Sequence, residues 1–236
     1  DITFQGRTGE LEYPHHTSWG ASTRLIGGII MVHGDNRGLV LPPRVAPTQV
    51  VIIPIAQNKE GVLDKAYEIK KELEAKGIRV TLDDDTNYSP GWKFNQYEMK
   101  GVPLRLEIGP RDIENNVAMI ARRDTLSKDS YSLDNIGDTV KNLLDTVHTD
   151  MLERARAHRD SKTFTFKDYE EFKRKMIETP GFAKGMWCGE EECEAKIKED
   201  TGVTIRCIPF VQENLGETCQ FCGKPAKHMV YLAKAY

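Results

Sequence analysis

Residues 49–55, Gln-Val-Val-Ile-Ile-Pro-Ile, form an unbroken apolar run of strand length, and the pattern predicts a strand buried on both faces. The period then changes. Leu63, Ala66, Ile69 and Leu73 recur at helical spacing within 60–76, and Gly77 stops the helix. A second strand is expected at 78–82 and a short aromatic-rich helix at 91–100. Residues 102–108 alternate as Val-Pro-Leu-Arg-Leu-Glu-Ile, and 117–123 read as a further strand. Strand, helix and strand in this order imply a βαβ unit inside an α/β domain.

The flanks read differently. Residues 4–12 contain Gly-Arg-Thr-Gly and suit a hairpin. Residues 17–24 form a polar, strand-like run ending in Arg24. Residues 22–33 then read as a helix or buried element with close packing at Gly27 and Gly28. Pro42, Pro43 and Pro47 punctuate a linker. From 127 onward a long helix is expected, with Leu143, Leu144, Val147, Met151, Leu152 and Ala155 as its apolar stripe. A smaller α+β unit follows: helices at 167–177 and 190–198, and strands near Met186, at 203–210 and at 228–233.

Composition narrows the class. With 236 residues and 39% hydrophobic content the chain can bury sizeable cores. A net charge of -3 excludes a protein that coats nucleic acid by bulk charge, so any RNA contact must be a local patch. The apolar run 25–32 is too short to span a bilayer. The first residues carry neither a basic start nor an apolar core, so no signal peptide is read there. There is no initiator Met, and the expectation is that an upstream segment is missing.

Three groups carry chemistry. Cys188 and Cys193 are spaced C-x4-C, and Cys219 and Cys222 C-x2-C. Two such pairs can close a tetrahedron around zinc; four thiolates leave no open position, which makes such a site structural. Free thiols or a redox pair are the alternative. Cys207 falls in an apolar strand pattern and is expected to pack as a small hydrophobe. In the second group, Gly20 permits close ligand approach, Ser22 offers a hydroxyl and Arg24 a planar fork for phosphate or base; a buried strand with one satisfied arginine is the plainer reading. The third group interleaves Trp92, Lys93, Phe94, Tyr97, Glu98, Arg105, Glu107, Arg111, Arg122 and Arg123. Arginines pair with guanine edges, a carboxylate with an exocyclic amine, and rings stack on bases, so this group suits a single-stranded RNA loop; an ion-paired sheet face is the alternative. His15 and His16 are expected to be structural or exposed, His33 to end a helix, and 167–175 to be a solvated helix face.

Three blocks together resemble prolyl-tRNA synthetases of the archaeal/eukaryotic type. TSWGASTRLIGGIIMVHGDNRGLVLPPRVAP is similar to motif 3 of these class II enzymes, and YSPGWKFNQYEMKGVPLRLEIGPRDIENN resembles their anticodon-binding domain. WCGEEECEAK, CIPF and TCQFCGKPAKHMVYLAKAY resemble their C-terminal zinc domain. The resemblance implies a multidomain α/β and α+β protein. Residues 1–47 would end a class II antiparallel-sheet catalytic domain, 48–160 would form an α/β anticodon-binding domain with a mixed sheet, and 161–236 a small α+β zinc-binding domain. It implies a cytoplasmic proline–tRNA ligase using ATP, Mg and structural zinc, acting on L-proline and tRNA(Pro), and dimeric through the absent part of its catalytic domain. Arg24 and Ser22 would engage ATP, with Arg24 stabilising charge in catalysis, while Trp19 and Gly20 line the substrate pocket. Glu98, Arg105, Arg111 and Arg123 would read the anticodon. Cys188, Cys193, Cys219 and Cys222 would hold zinc, and Tyr236 would fold back toward the active site. Motifs 1 and 2 are not in the sequence, so this segment alone is expected to be inactive. A non-catalytic tRNA-binding module derived from a synthetase is the alternative, and a generic nucleotide-binding protein with a zinc knuckle a weaker one.

Overall fold

A computed structural model describes residues 2–235. Tyr236, expected to fold toward an active site, lies outside the described residues. The chain divides into two units, one ending at Asp145 and the other beginning at Thr146. That boundary falls within the long helix, whereas the sequence division was placed at its end.

The first unit opens with the expected hairpin, β1 (Phe4–Gln5) against β2 (Leu11–Glu12). Residues 17–22 do not form the expected strand: a strand needs a ladder partner, and among the described residues none runs beside them. Helix α1 (Arg24–His33) follows and is not the buried element expected. Leu25, Ile26 and Met31 are each at least 60% exposed. A side chain built on Gly27 or Gly28 would meet nothing within 4 Å, so the expected close packing there is absent among the described residues.

The centre of the unit is a mixed sheet. Its strands are β3 (Val50–Pro54), β4 (Val80–Leu82), β5 (Leu104–Ile108), β6 (Val117–Arg122) and β7 (Lys128–Ser132), in the order β4-β3-β5-β6-β7. β3 is parallel to β4 and β5, and β5-β6-β7 form an antiparallel meander. Every residue of β3 is buried, as its unbroken apolar run requires. Helix α2 (Val62–Ala75) connects β3 to β4 and buries Val62, Ala66, Ile69 and Leu73. Val62 is buried and Leu63 only half-buried, because 62, 66, 69 and 73 lie near-whole helical turns apart. α3 (Pro90–Met99) and the short α4 (Pro110–Glu114) complete the crossings. β7 stands where the long helix was expected to begin. Its sequence, Lys-Asp-Ser-Tyr-Ser, is polar because it is an edge strand with little to bury. The long helix, α5 (Ile136–Ser161), starts only after it.

The proline-rich linker is tied to this sheet. Arg79 donates to the carbonyls of Ala46 and Pro43, each at 2.9 Å. Further upstream, the Leu39 amide donates to the Met99 carbonyl and Leu41 to that of Gly101. Gly38 (φ 133°) and Gly101 (φ 71°) make this approach possible; a Cβ at either would lie within 2.7 Å of the facing backbone.

The second unit is a four-stranded sheet with two helices: β8 (Thr163–Thr165), α6 (Tyr169–Glu178), β9 (Phe182–Trp187), α7 (Glu191–Thr201), β10 (Val203–Cys207) and β11 (His228–Lys234). The strand order is β10-β11-β9-β8, with β8 and β9 parallel and the other pairs antiparallel. Phe166, Phe172, Ile197, Val203, Val230 and Leu232 form its core.

Candidate functional site

Register explains one group. Arg105 on β5 sits opposite Ala121 on β6, which sits opposite Lys128 on β7; Glu107 is two residues along the same face. α3 packs Phe94 and Tyr97 toward this face, beside Val51 and Ile53. The Arg105 guanidinium lies 4.1 Å from the centre of the Phe94 ring. Its Nε donates to Glu107 Oε1 at 3.1 Å, and its Nη1 lies 3.5 Å from Glu98 Oε1. Lys128 Nζ reaches the other Glu107 oxygen at 2.6 Å. Tyr97, Glu98, Arg105, Arg123, Leu126 and Lys128 surround a small cleft of about 140 Å³. Burial, with Asp83 beside it, pushes the Tyr97 hydroxyl up to about 12. The tyrosine therefore stays a neutral donor at physiological pH.

Other expected members are placed differently. Arg111 begins α4, is exposed and makes no ion pair among the described residues. Trp92 is exposed and stacks on Tyr88 at 3.9 Å. Lys93 points inward: only 3% exposed, it is held by the Asp83 carboxylate at 2.7 Å and the Asp83 carbonyl at 2.9 Å. A buried ammonium persists only with such partners, and these consume it.

Arg123 is also turned inward, 4% exposed. Its two terminal nitrogens take both oxygens of Asp35, at 2.8 and 2.6 Å, and its Nε donates to the Glu98 carbonyl. The Arg123 hydrogen bond is the main cause that lowers the Asp35 carboxyl to about 2. Asp35 lies in the tight turn after α1, where it pairs with Gly38. From the same turn Arg37 reaches Glu98 Oε2 at 3.3 Å. Glu98 thus stands between Arg37 and Arg105. Neither Asp35, Arg37 nor Lys128 carried a sequence signal, since each lies in a polar stretch that gives no period.

The amino-terminal group is assembled locally. The Ser22 hydroxyl accepts from the Arg24 amide at 3.3 Å, just before α1. The Arg24 side chain makes no ion pair among the described residues, and Trp19 is 93% exposed. His15 and His16 are exposed, and His33 ends α1 as expected.

The four cysteines converge from three segments: Cys188 after β9, Cys193 in the first turn of α7, and Cys219 and Cys222 on one loop. All four sulfurs lie within 4.8 Å of one another. The Cys193–Cys219 pair is 3.8 Å apart and Cys188–Cys222 3.6 Å. A disulfide needs about 2.05 Å. A tetrahedron with metal–sulfur bonds of about 2.3 Å has edges near 3.8 Å, which the set matches. Burial, and then the neighbouring Cys219 sulfur, push the Cys193 thiol far up. Four thiolates this close need a cation, so the donor set fits a metal such as zinc. Glycines with positive φ, Gly189 and Gly223, follow Cys188 and Cys222 and turn each knuckle. Phe221, between the loop cysteines, inserts among Phe166, Tyr169 and Phe172 with ring centres 5.4–5.6 Å away. Gln220 accepts from the Met186 amide and donates to the Phe166 carbonyl. Cys207, expected to be packed, is exposed at the end of β10, because a bulge after Ile205 takes it out of the alternation.

Similarity to known proteins follows the same division. The family described as "Anticodon binding domain" matches residues 49–143, and "Prolyl-tRNA synthetase, C-terminal" matches 169–236. A proline--tRNA ligase of Alkaliphilus oremlandii is 65% identical over all 236 residues, and proline--tRNA ligase 2 of Clostridioides difficile 61%. A proline--tRNA ligase of Lachnospira eligens is 56% identical over 235 residues. In each case the match covers 100% of this chain and 49% of the relative, so the chain spans about half the length of the curated relatives it matches. Its two domain matches and its similarity along the whole sequence assign the chain to the prolyl-tRNA synthetase family, as a C-terminal portion.

Proposed function

We propose that the chain serves a proline–tRNA ligase, which activates L-proline with ATP and transfers it to tRNA(Pro). The observation that carries this reading is whole-chain identity of 56–65% to relatives bearing that name. In this reading Glu98, Arg105 and Arg111 read the anticodon. Arg105 is held flat by Phe94 and aimed by two carboxylates, the preorganised fork that a guanine edge requires. Arg111, exposed and free of ion pairs among the described residues, is ready for a base or phosphate. Arg123 serves the same surface from beneath, through the Glu98 carbonyl.

Ser22 and Arg24 would contribute to ATP binding, and Trp19 and Gly20 to the substrate pocket. Their exposure on one short stretch supports a role completed by further surface. Bound Mg would neutralise phosphate charge during adenylation, and Arg24 would stabilise charge alongside it. Zinc would be held by Cys188, Cys193, Cys219 and Cys222 and would act structurally, since four sulfurs fill its coordination. Among the described residues no helix is long and apolar enough to cross a membrane. The reading extends to a cytoplasmic homodimer, by likeness to the family.

The test is Arg105→Ala or Arg111→Ala in the full-length enzyme. Each should reduce tRNA charging about 10-fold or more while proline-dependent pyrophosphate exchange stays near normal. Equal loss of both activities would defeat the anticodon assignment.

A further inference from the structure

A cleft of about 900 Å³ lies in the second unit and includes none of the residues assigned above. It exists because the two faces of the sheet are unequal. One face turns Ala183, Val203, Val230 and Leu232 into the core. On the opposite face, register places Thr165, Lys184, Tyr231 and Cys207 in one row across β8, β9, β11 and β10. Phe182 stands opposite Thr163 beside them. Toward Met229 this face is closed by a loop, whose Gln212 exchanges two hydrogen bonds with the Met229 backbone. The rest stays open.

The open part combines rings with cations. Phe182 and Tyr231 lie along the sheet, and Arg159, Lys175, Lys184 and Arg206 line it, with Asp160 in the lining and Glu171 and Glu213 on two of the cations. Lys184 sits 5.8 Å from the Tyr231 ring centre and pairs with Glu213 at 2.7 Å. Arg159 pairs with Asp160 at solvent-exposed positions, whereas Lys175 is half-buried and held by Glu171 at 3.0 Å and the Thr165 carbonyl at 2.9 Å. The exposed Arg159–Asp160 pair is worth little and exchanges readily for a phosphate. Arg206 donates its Nε to the Ala233 carbonyl at 3.2 Å, and among the described residues its terminal nitrogens make no hydrogen bond or ion pair. An open sheet face with rings along the strands and cations around them matches the chemistry of unpaired nucleotides, whose bases stack and whose phosphates seek charge.

We propose that this sheet face binds a short single-stranded RNA segment, with bases on Phe182 and Tyr231 and phosphates on Arg206 and Lys184. The site is separate from the guanine-reading face proposed for the first unit. Cys207, an exposed thiol in the cleft, gives a local readout.

The experiment uses the whole chain and a short oligouridylate, which offers no guanine edge to Arg105. Alkylation of Cys207 is followed by peptide mass spectrometry, which separates it from the other cysteines, and affinity by fluorescence anisotropy. RNA should slow Cys207 alkylation several-fold. Phe182→Ala should weaken affinity about 5- to 150-fold, the range for one lost base–ring stack. Phe182→Leu keeps apolar volume in the sheet and should lose comparable affinity, which separates stacking from folding. Arg206→Gln should flatten the salt dependence. Arg105→Ala should leave Cys207 protection intact, so this proposal and the anticodon assignment can fail independently. Unchanged alkylation at saturating RNA, or protection that survives Phe182→Leu and Arg206→Gln together, would overturn the proposal. So would protection by polyglutamate without protection by RNA, which would give the cleft to an acidic protein partner.

Discussion

Single residues in this chain carry two kinds of charge, and burial separates them. Arg105 and Arg123 are both arginines of the same sheet, one within β5 and the other just past the end of β6. One keeps its guanidinium at a surface cleft, and the other spends its guanidinium on Asp35. Asp35→Ala should therefore destabilise the first unit by about 1–3 kcal/mol, because it leaves a buried guanidinium without its carboxylate. Urea unfolding would measure this. Asp35 also fixes a direction in pH. Its carboxyl is lowered to about 2 in the fold, so its stabilisation is complete above the usual carboxylate range. It is lost as pH falls from about 4 toward 2. Wild type and Asp35→Ala should converge in stability across that window; a constant difference down to pH 2 would contradict the pairing. The sequence revealed that Arg105 and Glu107 share a face, because alternation alone dictates it. It could not reveal Arg37 or Asp35, whose partners lie 61 and 88 residues away.

At the scale of elements, legibility followed the strength of the apolar period. β3 and α2 announce themselves through runs of buried residues, and their bounds came out within a few positions. β7 and β8 are short, polar or edge elements, with no period to find. The helical pattern of α1 was legible, but its burial was not, since burial belongs to what faces a helix and not to its own sequence. The cysteine spacing was the strongest signal, and the fold brings the same four sulfurs together. Phe221 was invisible beside them, because one ring between two cysteines has no pattern. It nevertheless holds the knuckle onto the aromatic core. Phe221→Ala should cost about 3–5 kcal/mol in the second unit and loosen metal retention. Thermal unfolding with metal analysis of the dialysed protein would show both.

For the molecule as a whole, two units with separate cores should not melt as one. A chelator is expected to abolish the transition of the second unit while leaving most of the first unit's circular dichroism intact. Metal analysis of the native chain should find about one zinc. Full folding with no metal would remove the four-cysteine site. The sulfur donors come from three stretches of chain, so the unfolded state offers no complete site, and the affinity of a bound metal would be converted directly into folding free energy. The second unit's stability then follows supply. Each tenfold fall in free zinc, while it remains well above the dissociation constant, would remove about 1.4 kcal/mol. With such a metal the second unit would act as a gauge of the free ion, and scarcity would appear as a declining population of its folded state.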